Sequence, residues 1–200
     1  MTAVPGGRME ESEACSDVIE IRTDRLVLRS WREEDRQPFA AMNADPVVME
    51  YFPAPLTPVE SDAFADRIER HLNDRGYGLW AVEILGAAPF IGFVGLADVP
   101  ADLPPAPGVE VGWRLAREHW GCGYATEAAR AALHFAFKSL ELVEVVSFTS
   151  ATNQRSRRVM ERLGMSRDRS GDFDHPRLPP GNPLRPHVLY RLARDPETLR

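Results

Sequence analysis

Two closely spaced glycines lie in the segment Trp120-Gly121-Cys122-Gly123-Tyr124, between a strand-like run and an alanine-rich run. A helix that begins there has backbone N–H groups without intrahelical partners, and its dipole places partial positive charge at that end. Glycine has no Cβ, so another molecule can approach the backbone closely. The segment is therefore predicted to bind a phosphate or pyrophosphate group.

Two well-known phosphate-binding patterns fit this segment poorly. A nucleoside-triphosphate loop ends in Gly-Lys-Ser/Thr, whereas Gly123 is followed by Tyr124. A dinucleotide-binding turn has a third glycine or alanine, and the residue near that place is Glu127. The segment also comes late in the chain, and no acidic residue ends a strand about twenty residues further on in the expected context.

Composition sets the broad class of protein. The 200 residues are 44% hydrophobic and 27% charged, which suits one globular domain with a sizeable core. A formal net charge of -6 argues against broad nucleic-acid binding and mildly suits a cationic substrate such as an amine. The sequence predicts no metal site, no membrane span and no signal peptide. Two cysteines, Cys15 and Cys122, fit a reducing cytoplasm.

Hydrophobic periodicity predicts strands and helices that alternate along most of the chain. Residues 1–18 are predicted to be a flexible tail, and residues 19–200 a single domain. The predicted strands are 19–29, 79–84, 90–96, 109–115, 143–149 and 187–192. Helices are predicted at 33–43, from a capping box at Thr57 to Gly76, from the glycine segment through Ala136, and at 153–163. Residues 100–108 and 166–186 are predicted loops. This order indicates a mixed α/β or α+β sheet.

The strand before the glycines alternates cleanly in polarity. Residues Val109, Val111, Trp113 and Leu115 share one face, while Glu110, Gly112 and Arg114 share the other.

Four blocks, taken together, resemble the GNAT N-acetyltransferases, and in particular the branch that includes the ribosomal-protein alanine N-acetyltransferases. The resemblance covers residues 20–192 and is carried by Thr23-Asp24-Arg25-Leu26-Val27-Leu28-Arg29, Tyr77-Gly78-Leu79-Trp80-Ala81-Val82, the strand 109–115 with the glycine segment, and Asn153-x-x-Ser156 with Met160-Glu161-Arg162-Leu163-Gly164-Met165.

This resemblance implies a GNAT-like fold: a central, strongly bent, mostly antiparallel sheet with helices on both sides. Two parallel strands, here 109–115 and 143–149, splay apart to admit acetyl-CoA as acyl donor. The residues implied in donor binding are Val111, Trp113, Leu115, Trp120, Gly121, Cys122, Gly123, Tyr124, Ala125, Thr126, Asn153 and Ser156. Glu118 departs from the family motif, which has Gln or Arg there. We expect its carboxylate to point away from the phosphates.

Acetyl transfer to an amine requires a base and a stabilised oxyanion. Glu110 is the candidate base, the alternative being an ordinary solvated or ion-paired carboxylate. The sheet bulge of the family implies an oxyanion donor at about the Trp113 N–H. Met160 stands where many members have a tyrosine that protonates the thiolate. Ser156, water or Tyr190 are the possible substitutes, and the thiolate can also leave unprotonated.

Aromatic residues of the first half are expected to help form the acceptor pocket, and at least two of them to be core. Trp31, Tyr51, Trp80 and the loop residue His175 are the candidate acceptor contacts. Cys122, near a helix N-terminus, leaves a ping-pong mechanism conceivable, although its side chain is expected to be passive.

The sequence therefore predicts a cytoplasmic acetyl-CoA-dependent N-acetyltransferase that acts on a primary amine of a peptide or small molecule, and a homodimer is common in this branch. The alternative is a catalytically inactive acyl-CoA-binding or sensing module of the same fold.

Overall fold

The computed structural model describes residues 19–194, so the predicted tail at 1–18 lies outside the described residues. Within 19–194, eight strands form one sheet in the order β1-β2-β3-β4-β5-β6-β8-β7. The strands are β1 (Ile21–Arg22), β2 (Leu26–Arg29), β3 (Leu79–Ile84), β4 (Ala88–Asp98), β5 (Val109–Leu115), β6 (Glu144–Ser150), β7 (Ser166–Asp174) and β8 (Pro186–Ala193). Neighbouring strands are antiparallel except β5 and β6, which are parallel.

Four α-helices accompany the sheet in the described range, at α1 (Arg36–Ala44), α2 (Pro58–Arg75), α3 (Tyr124–Lys138) and α4 (Gln154–Arg162). The capping box at the start of α2 is confirmed, because Thr57 Oγ1 accepts from Glu60 N–H while the Glu60 carboxylate accepts from Thr57 N–H. Gly76 ends the same helix in the left-handed conformation, with a φ of 72°.

The helices cover both faces of the sheet, as expected for the predicted fold. Phe93 of β4 packs against Phe39 of α1 and Phe64 of α2. Trp80 of β3, paired with Val94, packs on the opposite face against Phe135 of α3. Because Phe93 and Val94 are consecutive strand residues, their side chains lie on opposite faces. The α1–α2 pair and α3 therefore sandwich the central strands.

The parallel strands β5 and β6 separate almost as soon as they meet. Their pairing is confined to Glu110 opposite Val146, whereas β5 pairs with β4 over its whole length. The predicted splay is confirmed. The expected bulge at Trp113 is not, because the β4–β5 register runs without interruption from Asp98–Val109 to Gly92–Leu115.

Two predicted elements need correction. Residues 19–29 form a hairpin of β1 and β2 rather than one strand, because Thr23 N–H donates to the Leu26 carbonyl and closes a turn. Residues 166–174, predicted as loop, form the edge strand β7. Its sequence lacks apolar alternation because ion pairs such as Arg191–Asp168 and Arg167–Asp172 hold it instead.

No helix within residues 19–194 is long and apolar enough to cross a membrane.

Candidate active site

A cavity of about 770 Å³ opens where β5 and β6 separate. Its walls are the two strands, the N-terminal ends of α3 and α4, and part of the segment 48–53 between α1 and α2. Residues of the β7–β8 hairpin line its far side. The cavity therefore joins the fork of the sheet to the face that α1 and α2 cover.

Backbone groups of β5 are directed into the fork. The N–H of Ala116 donates to the Ile91 carbonyl on the β4 side, at 2.9 Å. Because strand backbone alternates, the N–H and C=O groups of Trp113 and Leu115 are directed to the opposite side, toward β6. The Leu115 carbonyl accepts from the indole N–H of Trp120 at 2.8 Å. The polar backbone of Trp113 faces the gap.

The glycine segment forms an open cradle at the start of α3. Gly121 and Gly123 have φ values of 77° and 84°, in the left-handed region that glycine adopts without strain. No side chain of residues 19–194 caps this helix terminus, and Gly121, Gly123 and Ala125 line the cavity. A Cβ on Gly121 would meet no atom of the described chain within 4 Å, so the backbone there is open to close approach. The first-turn N–H groups are suited to an anion.

Arg25 and Glu127 hold this cradle against the β1–β2 turn. The Glu127 carboxylate accepts from Thr23 Oγ1 at 2.6 Å and from Arg25 Nε at 2.7 Å. Arg25 Nη1 donates to the carbonyl of Cys122, and its guanidinium lies 4.7 Å from the centre of the Tyr124 ring. These contacts fix the entry of the chain into α3.

Asn153 and Ser156 combine the two roles that their residue types allow. Asn153 Oδ1 accepts from the Ser156 N–H at 3.1 Å, which is a helix N-cap of α4. Asn153 Nδ2 donates to Thr149 Oγ1 and to Ser156 Oγ, at 3.0 and 3.1 Å. Both side chains also line the cavity.

Glu110 lies in the cavity wall at the base of the fork, where β5 and β6 make their contact. Its carboxylate is partly buried and forms no hydrogen bond or ion pair with other residues in 19–194. Burial raises the pKa of Glu110 to about 8. Of the ordinary settings that the sequence left open for this carboxylate, an ion pair is absent within residues 19–194, while the side chain keeps partial access to the cavity.

Arg114 is on the same face of β5 and also lines the cavity, although the sequence did not single it out. Its side chain is buried beneath Phe52, with the guanidinium 4.1 Å from the ring centre. Arg114 Nη1 donates to Asn43 Oδ1 at 2.6 Å. Burial lowers the pKa of Arg114 to about 10, so the group is charged at neutral pH.

Two histidines and Phe173 lie together on the β7–β8 side of the cavity. His175 and His187 have ring centres 4.9 Å apart, and His187 stacks on Phe173 at 5.5 Å. Burial lowers the pKa of both histidines, with Arg177 adding to the effect at His175. Both imidazoles line the cavity, and the lowered pKa values favour their neutral forms.

Comparison with known proteins identifies this architecture. Residues 25–166 match the family model described as the acetyltransferase (GNAT) domain. The chain belongs to the GNAT acetyltransferase family. The FsC-acetyl coenzyme A-N(2)-transacetylase of Aspergillus fumigatus is 32% identical over 182 residues, covering 88% of this chain and 76% of that protein. The uncharacterized protein YkkB of Bacillus subtilis is 34% identical over 146 residues, covering 72% and 83%.

The fold agrees with the family as well. An acetyltransferase from Agrobacterium tumefaciens str. C58 has a TM-score of 0.72 at 28% identity, covering 88% of this chain and 95% of that one. The predicted fold and the prediction of an acetyl-CoA-dependent N-acetyltransferase are both confirmed. The alternative of an inactive binding module is not favoured by the relatives, of which one is named a transacetylase.

Most residues predicted to bind the acyl donor of this acetyltransferase lie around the cavity, but Val111 and Cys122 do not. Val111 is fully buried in the core, because its face of β5 packs under α3. Cys122 is exposed, and its Sγ lies 3.6 Å from the Trp120 carbonyl. Neither side chain is placed to contact a ligand in the cavity. Glu118 is likewise exposed and outside this cavity.

Two predicted acceptor contacts need correction. Trp31 donates to the Leu79 carbonyl and packs on Phe39, and Trp80 is fully buried with its indole N–H on the Ile19 carbonyl. Both are core residues because their indole nitrogens find backbone partners away from the cavity. The expectation that at least two of the aromatics are core is thereby confirmed.

Tyr51 and His175 do line the cavity. The guanidinium of Arg155 lies 5.3 Å from the Tyr51 ring and 4.8 Å from the Trp120 ring, and it pairs with Glu50. This contact joins the segment between α1 and α2 to α4 beside the fork.

Of the residues considered for protonating the thiolate, Ser156 lines the cavity and Tyr190 does not. Tyr190 is buried and does not line the cavity, since its hydroxyl donates to Glu161 Oε1 at 3.1 Å. Met160 lines the cavity and has no proton to give. Ser156 is the hydroxyl of this group that faces the cavity.

Proposed function

We propose that this acetyltransferase moves the acetyl group of acetyl-CoA directly to a primary amine in a ternary complex, with Glu110 as general base. The observation that carries the proposal is the Glu110 carboxylate, which is partly buried, unpaired in the described chain and raised in pKa to about 8. A base with a pKa near the working pH removes a proton most effectively. Glu110 lies in the same cavity as the backbone groups of the fork.

The acyl donor is proposed to lie along the fork, with its pyrophosphate on the cradle at Gly121 and Gly123. The uncapped N–H groups of α3 and the absence of a Cβ at both positions support this placement. The amide-bearing pantetheine arm would pair with the backbone of Trp113 as an added strand does. Asn153 and Ser156 would then lie near its thiol end.

Each reacting group then has a proposed partner. Glu110 accepts the proton of the amine, directly or through a water molecule, and the amine nitrogen attacks the acetyl carbonyl. The Trp113 N–H donates to the oxyanion that develops. Ser156 Oγ accepts from Asn153, so its own O–H can donate a hydrogen bond to the sulfur as the C–S bond breaks and CoA leaves as the thiolate. No acyl-enzyme is needed, and Cys122 takes no part.

Glu110→Gln tests the proposal in an assay of thiol release from acetyl-CoA across a library of amines and peptides. We expect kcat/KM to fall by about 10²–10⁴ at neutral pH, with CoA binding preserved, because the amide cannot accept the proton. Glu118→Gln removes a carboxylate outside the cavity and should change kcat/KM by less than about twofold.

Wild-type rates in Glu110→Gln would remove Glu110 from the mechanism. Binding of acetyl-CoA without thiol release for any amine would overturn the proposed transfer. A cytoplasmic location and a homodimer remain predictions from the sequence.

A further inference from the structure

Two arginines are buried in the described part of the chain, and they differ in their counter-ions. Arg29 is 3% exposed and donates to both carboxylate oxygens of Asp35, at 2.7 and 2.9 Å. Arg114 is 9% exposed and pairs with no carboxylate within residues 19–194. A buried cation without an anion is costly. The fold itself explains the charge of Arg29, but it leaves that of Arg114 uncompensated.

Neutral groups hold the Arg114 side chain in place. Asn43 Oδ1 accepts from its Nη1, and Asn43 Nδ2 in turn donates to Ser61 Oγ at 2.9 Å. Both partners are fully buried, which fixes the orientation of the guanidinium. The rings of Phe52, Phe64 and Phe93 lie 4.1, 5.5 and 5.5 Å from it. The charge is positioned without being neutralised.

One edge of this guanidinium remains open. Nε is buried without an acceptor, while Nη2 makes no hydrogen bond in the described residues and is not sealed from solvent. Arg114 is part of the cavity wall, so Nη2 is the donor that a molecule in the cavity can reach. The described residues supply no anion for Arg114, and the cavity is the side from which one can reach Nη2.

The spacing along β5 relates this donor to the reacting centre. Glu110, Gly112 and Arg114 share one face, so successive Cα atoms are roughly 7 Å apart and those of Glu110 and Arg114 are roughly 14 Å apart. A Cβ on Gly112 would meet no atom of residues 19–194 within 4 Å, so the strand surface between the two charged side chains is open. The long side chains of Glu110 and Arg114 can cover most of that distance, so a molecule whose amine lies beside Glu110 can extend over Gly112 toward Arg114 and meet it with a second group.

We infer that the acceptor is a primary amine that carries a carboxylate within a few bonds of its nitrogen, and that Arg114 binds this carboxylate. The inference rests on the proposed function and names its substrate class. A single free nitrogen with two N–H groups, set among aromatic rings, matches one carboxylate. A carboxylate carries one negative charge, which the single charge of Arg114 balances, whereas a phosphate dianion carries two. Free amino acids and peptides with an acidic first side chain both have the required chemistry.

The wild-type enzyme gives the first test. Thiol release from acetyl-CoA is measured for matched sets: an amino acid, its carboxamide, the amine without the carboxyl group, and dipeptides that begin with Asp or with Asn. Each rate is corrected for the fraction of free base of that amine. We expect the carboxylates to exceed their neutral counterparts by at least about tenfold in kcat/KM, as for a hydrogen bond to a charged group. The amino-acid and dipeptide arms separate the two sources.

Arg114→Gln gives the second test. The KM for carboxylate acceptors should rise by about 10–100-fold while kcat changes little, and kcat/KM for the carboxamides should stay within about threefold. Arg114→Lys keeps the charge and should retain part of the preference for carboxylates. It provides the test if Arg114→Gln folds poorly. Arg67→Gln is the matched control, because Arg67 stacks on Phe64 from the exposed side, at 5.3 Å.

The outcomes are distinct. Turnover of carboxylates and carboxamides at equal corrected rates in the wild type would overturn the role of Arg114 and leave the amine transfer intact. An equal loss on both classes in folded Arg114 variants would reduce Arg114 to a structural residue. No turnover of any amine would refute the proposed function itself, and with it the inference.

Discussion

The two ends of the cavity expose different chemical groups, backbone N–H groups at one end and charged side chains at the other. The cradle at Gly121 and Gly123 presents backbone N–H groups of a helix terminus, and the Cys122 side chain between the two glycines is outside the cavity. The opposite end presents the side chains of Glu110 and Arg114 from one face of β5. A backbone site needs small residues and tolerates exchange of the rest, whereas a side-chain site depends on the identity of each group. Substitutions at the two ends should therefore affect different kinetic constants.

Gly123→Ala should give the larger effect at the cradle. We expect the KM for acetyl-CoA to rise by about tenfold with kcat nearly unchanged, because a methyl group at a φ of 84° strains the backbone on which the pyrophosphate is proposed to lie. Gly86→Ala is the matched control. Gly86 has a φ of 68° and open space around it, but it lies in the β3–β4 turn. A fall in kcat without a rise in the KM for acetyl-CoA would contradict the assignment of donor binding to the cradle.

Cys122→Ser should give the smallest effect. With direct transfer and a side chain outside the cavity, kcat/KM should change by less than about twofold, and initial-rate plots should intersect as for a ternary complex. Parallel initial-rate lines in the wild type, together with loss of activity in Cys122→Ser, would instead indicate an acyl-cysteine intermediate.

The cradle was predictable from the sequence because its determinants are local. Glycines, a helix start and the alternation of residues 109–115 all act within a few residues, and the structure retains them. The capping box at Thr57 could be predicted for the same reason, because its two partners are three residues apart.

The end of the cavity at Glu110 and Arg114 was harder to predict from the sequence because its contacts join residues that are distant in the chain. Arg114 is held by Asn43 and lies beneath Phe52, more than sixty residues away, and no local pattern marks such a contact. Its one sequence signal is a charge on the same strand face as Glu110. The prediction of Trp31 and Trp80 as acceptor contacts was wrong for a related reason. Their indole N–H groups donate to the Leu79 and Ile19 carbonyls, which are distant in sequence and hold both rings in the core.

The strand β7 could not be predicted from the sequence for a different reason. Residues 166–174 carry charged and glycine residues that resemble a loop, and cross-strand ion pairs replace the apolar alternation by which a strand is usually recognised. Its pairing with β8 brings His175 to the cavity, a placement that loop composition alone does not specify.

The pH dependence of one ratio tests the central claim most directly. The ratio is kcat/KM of the wild type over that of Glu110→Gln, measured with one amine, so that ionisation of the amine itself cancels. With the pKa of Glu110 raised to about 8, the carboxyl is protonated and inactive as a base at lower pH. The ratio should therefore rise about tenfold per pH unit up to about pH 8 and then level off. A ratio that stays constant from about pH 6 to 9 would contradict Glu110 as the base.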